Sequence, residues 1–147
     1  MNRNLNALLL KGAVLWLLMA LVLAWCLVFL KFDLTFIKMV FPGKFTRLLQ
    51  AHLDFLMMSA LLFGFYAAKV ALPTTVIWCM VIGGFTNSSL FMAQAMFPIL
   101  DGPATANGLL PGLFRIYLMA SLLITSYGFG RGAITILMAT SRTNLSN

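Results

Sequence analysis

The chain reads as an all-α membrane protein of four spans, a single membrane domain over its 147 residues. Three observations predict this. Hydrophobic residues make up 62% of the sequence and charged ones only 9%, far from the balance of a water-soluble domain. Four separate stretches each carry the roughly 20 apolar residues that a helix needs to cross a hydrocarbon core about 30 Å thick. The segments between them are too short or too rich in turn residues to form a further domain.

The first span covers about 9–31, "LLKGAVLWLLMALVLAWCLVFLK". It begins after Arg3 and near Lys11, as a secretory signal would, but its apolar run is too long and no A-x-A-like site follows, so a retained span is expected. Residues 31–46 are neither polar nor long enough to span. Phe32, Phe36, Ile37 and Val40 recur at near-helical spacing among Lys31, Lys38 and Lys44, which predicts a short interfacial helix, with Pro42-Gly43 as the turn into the next span. The second span covers about 47–70, "RLLQAHLDFLMMSALLFGFYAAKV". A tight turn follows, and Pro73 is suited to open the third span at its first turn, over about 73–98. Residues 99–112, "ILDGPATANGLLPG", are dense in Gly, Pro, Asn and Asp and predict a loop. The fourth span covers about 110–138, with an interruption expected at "GFGRG", Gly128–Gly132, and the closing "SRTNLSN" is expected to fray.

Composition removes several function classes. The net charge of +7 comes from singly scattered basic residues, a pattern of helix ends rather than a nucleic-acid surface. Five cations (Arg3, Lys11, Lys69, Arg131, Arg142) fall at one face and five (Lys31, Lys38, Lys44, Arg47, Arg115) at the other, so charge does not orient the chain. The lack of Lys and Arg in the 98–111 connection favours cytoplasmic termini. There is no glutamate, one histidine and no phosphate-binding glycine loop, which leaves neither a zinc site of ordinary composition nor a Ser–His–Asp order. Cys26 and Cys79 lie mid-span without metal-ligand spacing and read as free thiols. Met57-Met58 reads as packing, since no second soft ligand accompanies it.

The second span poses the functional question. It contains His52, the one histidine, and Asp54, one of three acids. Ionisable groups in spans are costly and mark interiors, partners or cavities. Two positions apart on a helix means about 200° of rotation, so the pair points to nearly opposite faces and is no His–Asp catalytic dyad. Antiparallel topology puts both at the depth of Gln94 and Arg115, with Asn87 two turns deeper than Gln94 on the same face and Phe91 between them. Asp54 is therefore expected to be held by Arg115, by Arg47, or by an amide such as Gln94. The plain alternatives are a headgroup-level hydrogen bond for His52, a structural lock for Asp54, and interhelical glue for Asn87 and Gln94.

The stretch "R-x-x-x-A-H-L-D" opening the second span, with "GGFTNSSLFMAQAMFP" ending in a proline eleven residues after its Asn, resembles the small membrane isomerases that include styrene oxide isomerase and hydroxylaminobenzene mutase. The resemblance covers residues 47–98 by motif and the four-span layout as a whole. It implies a bacterial inner-membrane homo-oligomer, a trimer, with haem b between neighbours and His52 as the axial iron ligand. It further implies ferric iron as a Lewis acid on a small apolar substrate of epoxide or arylhydroxylamine type, Phe91 and Arg115 beside the cofactor, and Asn87 and Asp54 as catalytic groups. Where the family carries Asn-Gly, Tyr and an acid, this chain has Met58-Ser59, Phe91 and Gly83, which makes the implied site more apolar. Three functions are thus open: a haem-dependent isomerase, a haem protein of redox or sensing role, and a cofactor-free partner-binding bundle.

Overall fold

The structure is a computed structural model that describes residues 3–102 and 108–144, with side chains from 7 to 102 and 108 to 141. Every regular element among them is helical: α1 (Arg3–Lys31), α2 (Thr35–Val40), α3 (Phe45–Ala67), α4 (Thr74–Met96), a 3₁₀ turn (Pro98–Asp101) and α5 (Leu109–Asn144). Four of these, over Ala7–Lys31, Phe45–Ala67, Thr74–Met96 and Leu109–Ser141, are long and apolar enough to cross a membrane. We call the end where α1 and α4 finish and α3 and α5 begin the near end, and the opposite one the far end.

Local sequence explains the boundaries. Pro73 stands just outside α4 as its N-cap, one position earlier than expected, and its carbonyl accepts the first intrahelical bond from Ile77. The short helix expected between the first two long ones is α2, and no residue of it is buried. Two loop expectations are corrected. Pro111-Gly112 belongs to the first turn of α5, where the missing proline N–H would have had no helical partner anyway. The Gly128–Gly132 stretch does not interrupt α5, and the helix continues to Asn144 through the first residues of the closing segment. Residues 145–147 of that segment lie outside the described residues.

Packing accounts for the unbroken glycine stretch. A β-carbon on Gly128 would stand 2.7 Å from the Met80 amide nitrogen and 2.8 Å from the Cys79 carbonyl carbon. On the facing helix, a β-carbon on Gly83 would stand 2.8 Å from the Thr125 α-carbon. Bare backbones thus meet, and the glycines let α5 lie directly on α4. Hydroxyls link the same seam: Ser121 donates to Thr86 Oγ1 at 3.0 Å, and the Ser89 and Tyr117 hydroxyls are 2.7 Å apart.

The other three long helices share an interior. Leu9, Ala13, Leu62, Val76, Ile77 and Met80 form one buried cluster toward the far end. Ala20, Leu23, Leu48, Ala51, Phe55 and Ala95 form a second toward the near end. Between them, Trp16 lies 5.0 Å from Phe85 and 6.1 Å from Phe55, ring centre to ring centre, and donates its indole N–H to the Val81 carbonyl at 3.2 Å. The bundle is lopsided. Half of the apolar window of α4 is buried but only about a tenth of that of α5, which leans on α4 and meets α3 through Phe65 and Phe129.

Gly128→Ala should cost about 1–3 kcal/mol, because backbone rather than a flexible side chain opposes the new methyl. Gly130→Ala meets nothing within 4 Å and should be neutral or stabilising by up to about 1 kcal/mol. Denaturant titration of both variants in detergent checks the contrast; equal effects would refute the close α4–α5 seam.

Candidate functional site

The site lies toward the near end of α3. Ser59, seven residues along from His52, fixes α3 against α1 by donating to the Ala13 carbonyl at 2.7 Å. Two turns nearer the helix start, His52 Nδ1 lies 2.8 Å from the Ala20 carbonyl oxygen. A carbonyl can only accept, so Nδ1 is the donor, and in the neutral ring the lone pair is then on Nε2. The ring is half-buried at the edge of the α1–α3 seam. Leu49 and Leu56, one turn to either side, and Leu53 give it an apolar flank.

Asp54 faces the other way, as the rotation between the two positions requires. It is 7% exposed, and Asn87 Nδ2 on α4 donates to its Oδ2 at 2.8 Å. The expectation of an amide holding Asp54 is met by Asn87 rather than by Gln94, whose own amide donates to the Leu100 carbonyl at 3.5 Å. The expected ion pairs are corrected. Arg115 is an exposed residue of α5, and α4 stands between α5 and this part of α3. Arg47 is engaged elsewhere, on Asp101. Phe91 is partly buried and packs against the near-end cluster that includes Ala20, Leu48 and Ala51. Met58 is buried against Gly84, while Met57 is exposed. Cys26 and Cys79 are free thiols, both half-buried.

A second polar group, missed in the sequence, ties the near end together. Arg47 Nε donates to Asp101 Oδ1 at 2.6 Å, and its second terminal nitrogen pairs with the same oxygen. Lys44 reaches Oδ2 at 2.7 Å. Gly43 donates its backbone N–H to the Ala95 carbonyl at 2.9 Å, so the turn into α3 is fastened to the end of α4. The signal was present: topology alone puts the first turn of α3 and the segment after α4 at one end. The Lys44 ammonium at Oδ2, then the Arg47 guanidinium at Oδ1, holds the Asp101 carboxyl below the ordinary value of 3.8, against a smaller opposing effect of burial.

Among the described residues no three His, Cys, Asp or Glu side chains cluster to hold a bare metal ion. What the chain offers is one oriented imidazole on an apolar face and, across the helix, one carboxylate bound by an amide. Comparison with known protein families, with curated proteins and with solved structures found no match. Fold and site together define an all-helical protein with four potential membrane-crossing helices and a single histidine positioned at the outer edge of a helix pair.

Two measurements test this geometry. In a double-mutant cycle of Asp54→Ala and Asn87→Ala, the bond should appear as a coupling of about 1.5–3 kcal/mol, the range for hydrogen bonds to charged groups; simple additivity would mean that it does not hold α3 on α4. For Asp101, a lowered native value favours the ionised form in the folded state. Its contribution is full above about pH 4 and drains away as pH falls through that lowered value. The difference in unfolding midpoint between wild type and Asp101→Asn should therefore be present at about pH 7 and vanish in strong acid; a pH-independent difference would contradict the assignment.

Proposed function

We propose that this is an integral membrane haem protein that rearranges a small apolar substrate of epoxide or arylhydroxylamine type, with His52 as the residue that would hold the iron. The observation that carries the reading is the state of the imidazole. Its Nδ1–H is spent on the Ala20 carbonyl, so in the neutral ring the lone pair is on Nε2, the nitrogen a metal would take. A haem needs only one such ligand from the chain, so the absence of a multi-residue cluster among the described residues is no obstacle. The motif around His52 supports the same group by resemblance.

A ferric haem, when bound, supplies a Lewis acid toward a substrate oxygen. The chain supplies the rest. The Ala20 carbonyl fixes the tautomer and the plane of the His52 ring. Leu49, Leu53 and Leu56 keep water from the imidazole side and admit an apolar substrate from the bilayer. Asn87 is committed to Asp54 across the helix, so within one chain it presents no donor beside His52. Asp54 and Asn87 then act at a distance, by setting how α3 sits on α4. A small homo-oligomer remains part of the proposal, since Leu49, Leu53 and Met57 leave the flank of α3 uncovered.

The first test is optical. Protein produced with ample haem should show a Soret band, and His52→Ala should abolish it while leaving the helical content intact. Absence of the band from the wild type would exclude the haem reading and leave the His52–Ala20 contact as a helix latch. Product analysis follows. Losing one preorganised donor costs roughly 10²–10³ in rate, so styrene oxide should be turned over weakly or not at all, with larger or less polar substrates preferred. Rapid phenylacetaldehyde formation would overturn this assignment of the donors.

A further inference from the structure

Three strongly exposed apolar side chains at the near end lie on or beside α2, apart from the helix that carries His52. Phe32, Phe36 and Met39 are 74%, 72% and 76% exposed, and they flank or belong to α2, which buries no residue of its own. Lys31 and Lys38 lie beside or on α2, and Lys44, Arg47 and Arg115 lie at the same end, against the two carboxylates Asp33 and Asp101. Asp101 is taken up by Lys44 and Arg47. Asp33 pairs with Lys38, but both members are more than half exposed, so water and salt screen the pair and it binds weakly. Lys38 also has three donors and needs only one for Asp33.

Beside Lys38 lies a cavity of about 430 Å³, lined by Leu30, Lys38, Phe41, Pro42, Gly43 and Phe45. The side chains that line it are apolar apart from that of Lys38. That combination suits one class of ligand, a phosphate ester carrying a hydrocarbon chain. We propose that this cavity and the α2 face bind an anionic phospholipid, with the headgroup phosphate at Lys38 and the start of an acyl chain against Leu30, Phe41 and Phe45. The proposal rests on the membrane reading and is independent of haem. The positive near end complements the lipid's charge, and the aromatic and methionine side chains of α2 complement its glycerol and upper acyl region.

Asp33 makes the site tunable. It sits in the left-handed region at φ 64°, a conformation that asparagine tolerates as well as aspartate does. Asp33→Asn therefore releases Lys38 without disturbing the turn. The two variants Lys38→Gln and Asp33→Asn must move lipid binding in opposite directions, and both alter only exposed side chains.

Native mass spectrometry of the detergent-solubilised full chain, offered equal dioleoyl phosphatidylglycerol and dioleoyl phosphatidylcholine, reads the preference directly. The wild type should favour phosphatidylglycerol severalfold. Lys38→Gln should reduce the preference about fivefold, the effect of one lysine near an anionic headgroup. Asp33→Asn should raise it, and Lys11→Gln at the far end should leave it unchanged. Equal uptake of both lipids by the wild type, or an unchanged ratio in Lys38→Gln, would overturn the proposal. So would removal of the phosphatidylglycerol adduct by millimolar inorganic phosphate, which would identify a free anion as the occupant. Extraction of the protein from membranes by carbonate without detergent would instead refute the membrane reading itself.

Discussion

A carboxylate inside an apolar helix must take its hydrogen bonds from whatever the neighbouring helix presents, and at Asp54 that is the Asn87 amide. Leaving such a group unsatisfied in a poor solvent costs several kcal/mol. The bond is therefore a constraint on register as much as an attraction. With Asp54 level with Asn87, Met58 falls on Gly84 one turn further along the antiparallel pair. In the other direction the turn before α3 meets the end of α4, where Gly43 bonds Ala95 and Arg47 reaches Asp101. A one-turn slip would separate all of these contacts together, which is how a single polar pair selects one alignment between otherwise interchangeable apolar surfaces.

The faces of α3 follow from that alignment. Asp54 and Met58 go to α4, Ser59 goes to α1, and His52 is left at the outer margin of the α1 contact. The hydrogen bonds to α1 use main-chain carbonyls, Ala13 for Ser59 and Ala20 for His52, each donated at 2.7–2.8 Å. Alanine at both positions matters, because a larger side chain would hold the helices too far apart for a short serine or an imidazole to reach the backbone. Small residues thus serve the same purpose at this seam as glycine does between α4 and α5.

Much of this was legible in the sequence, and the limit has a physical cause. Run length of apolar residues located the four long helices to within a few positions at most ends, because burial in any apolar medium depends on composition alone. The opposite aims of His52 and Asp54 were also legible, since 100° per residue is a property of the helix. Partner choice was not. Whether Asp54 meets Arg115, Arg47, Gln94 or Asn87 depends on which helix lies against α3, and depth along the bundle cannot distinguish them. The same missing information explains "GFGRG": glycine's weak helix propensity argues for a break, whereas tight packing on Met80 and Cys79 demands glycine within a continuous helix. Asp101 was overlooked because a loop acid looks solvated until its cations are seen to arrive from another element.

The distribution of polarity carries the membrane reading further than length alone. Among the described residues, Asp54, Ser59, Ser88, Ser89 and Ser121 are buried polar residues, and these serine hydroxyls are all hydrogen-bonded. The outside carries large apolar groups: Leu15, Leu18, Val22 and Trp25 on α1, and Ile116, Leu123, Leu137 and Met138 on α5, all more than half exposed. A protein in water places these classes the other way round, because hydrocarbon contact with water is what folding removes. In lipid that drive is absent between helices, and association relies on close backbone approach and on hydrogen bonds. The α4–α5 seam of glycines and hydroxyls, and the α1–α3 seam of alanine carbonyls, are what such a solvent selects. His52 then stands out by contrast. It is a titratable ring at the rim of the interior rather than within it, bonded on one nitrogen and bordered by leucines on the other side, where lipid, a second copy or a cofactor would complete its surroundings.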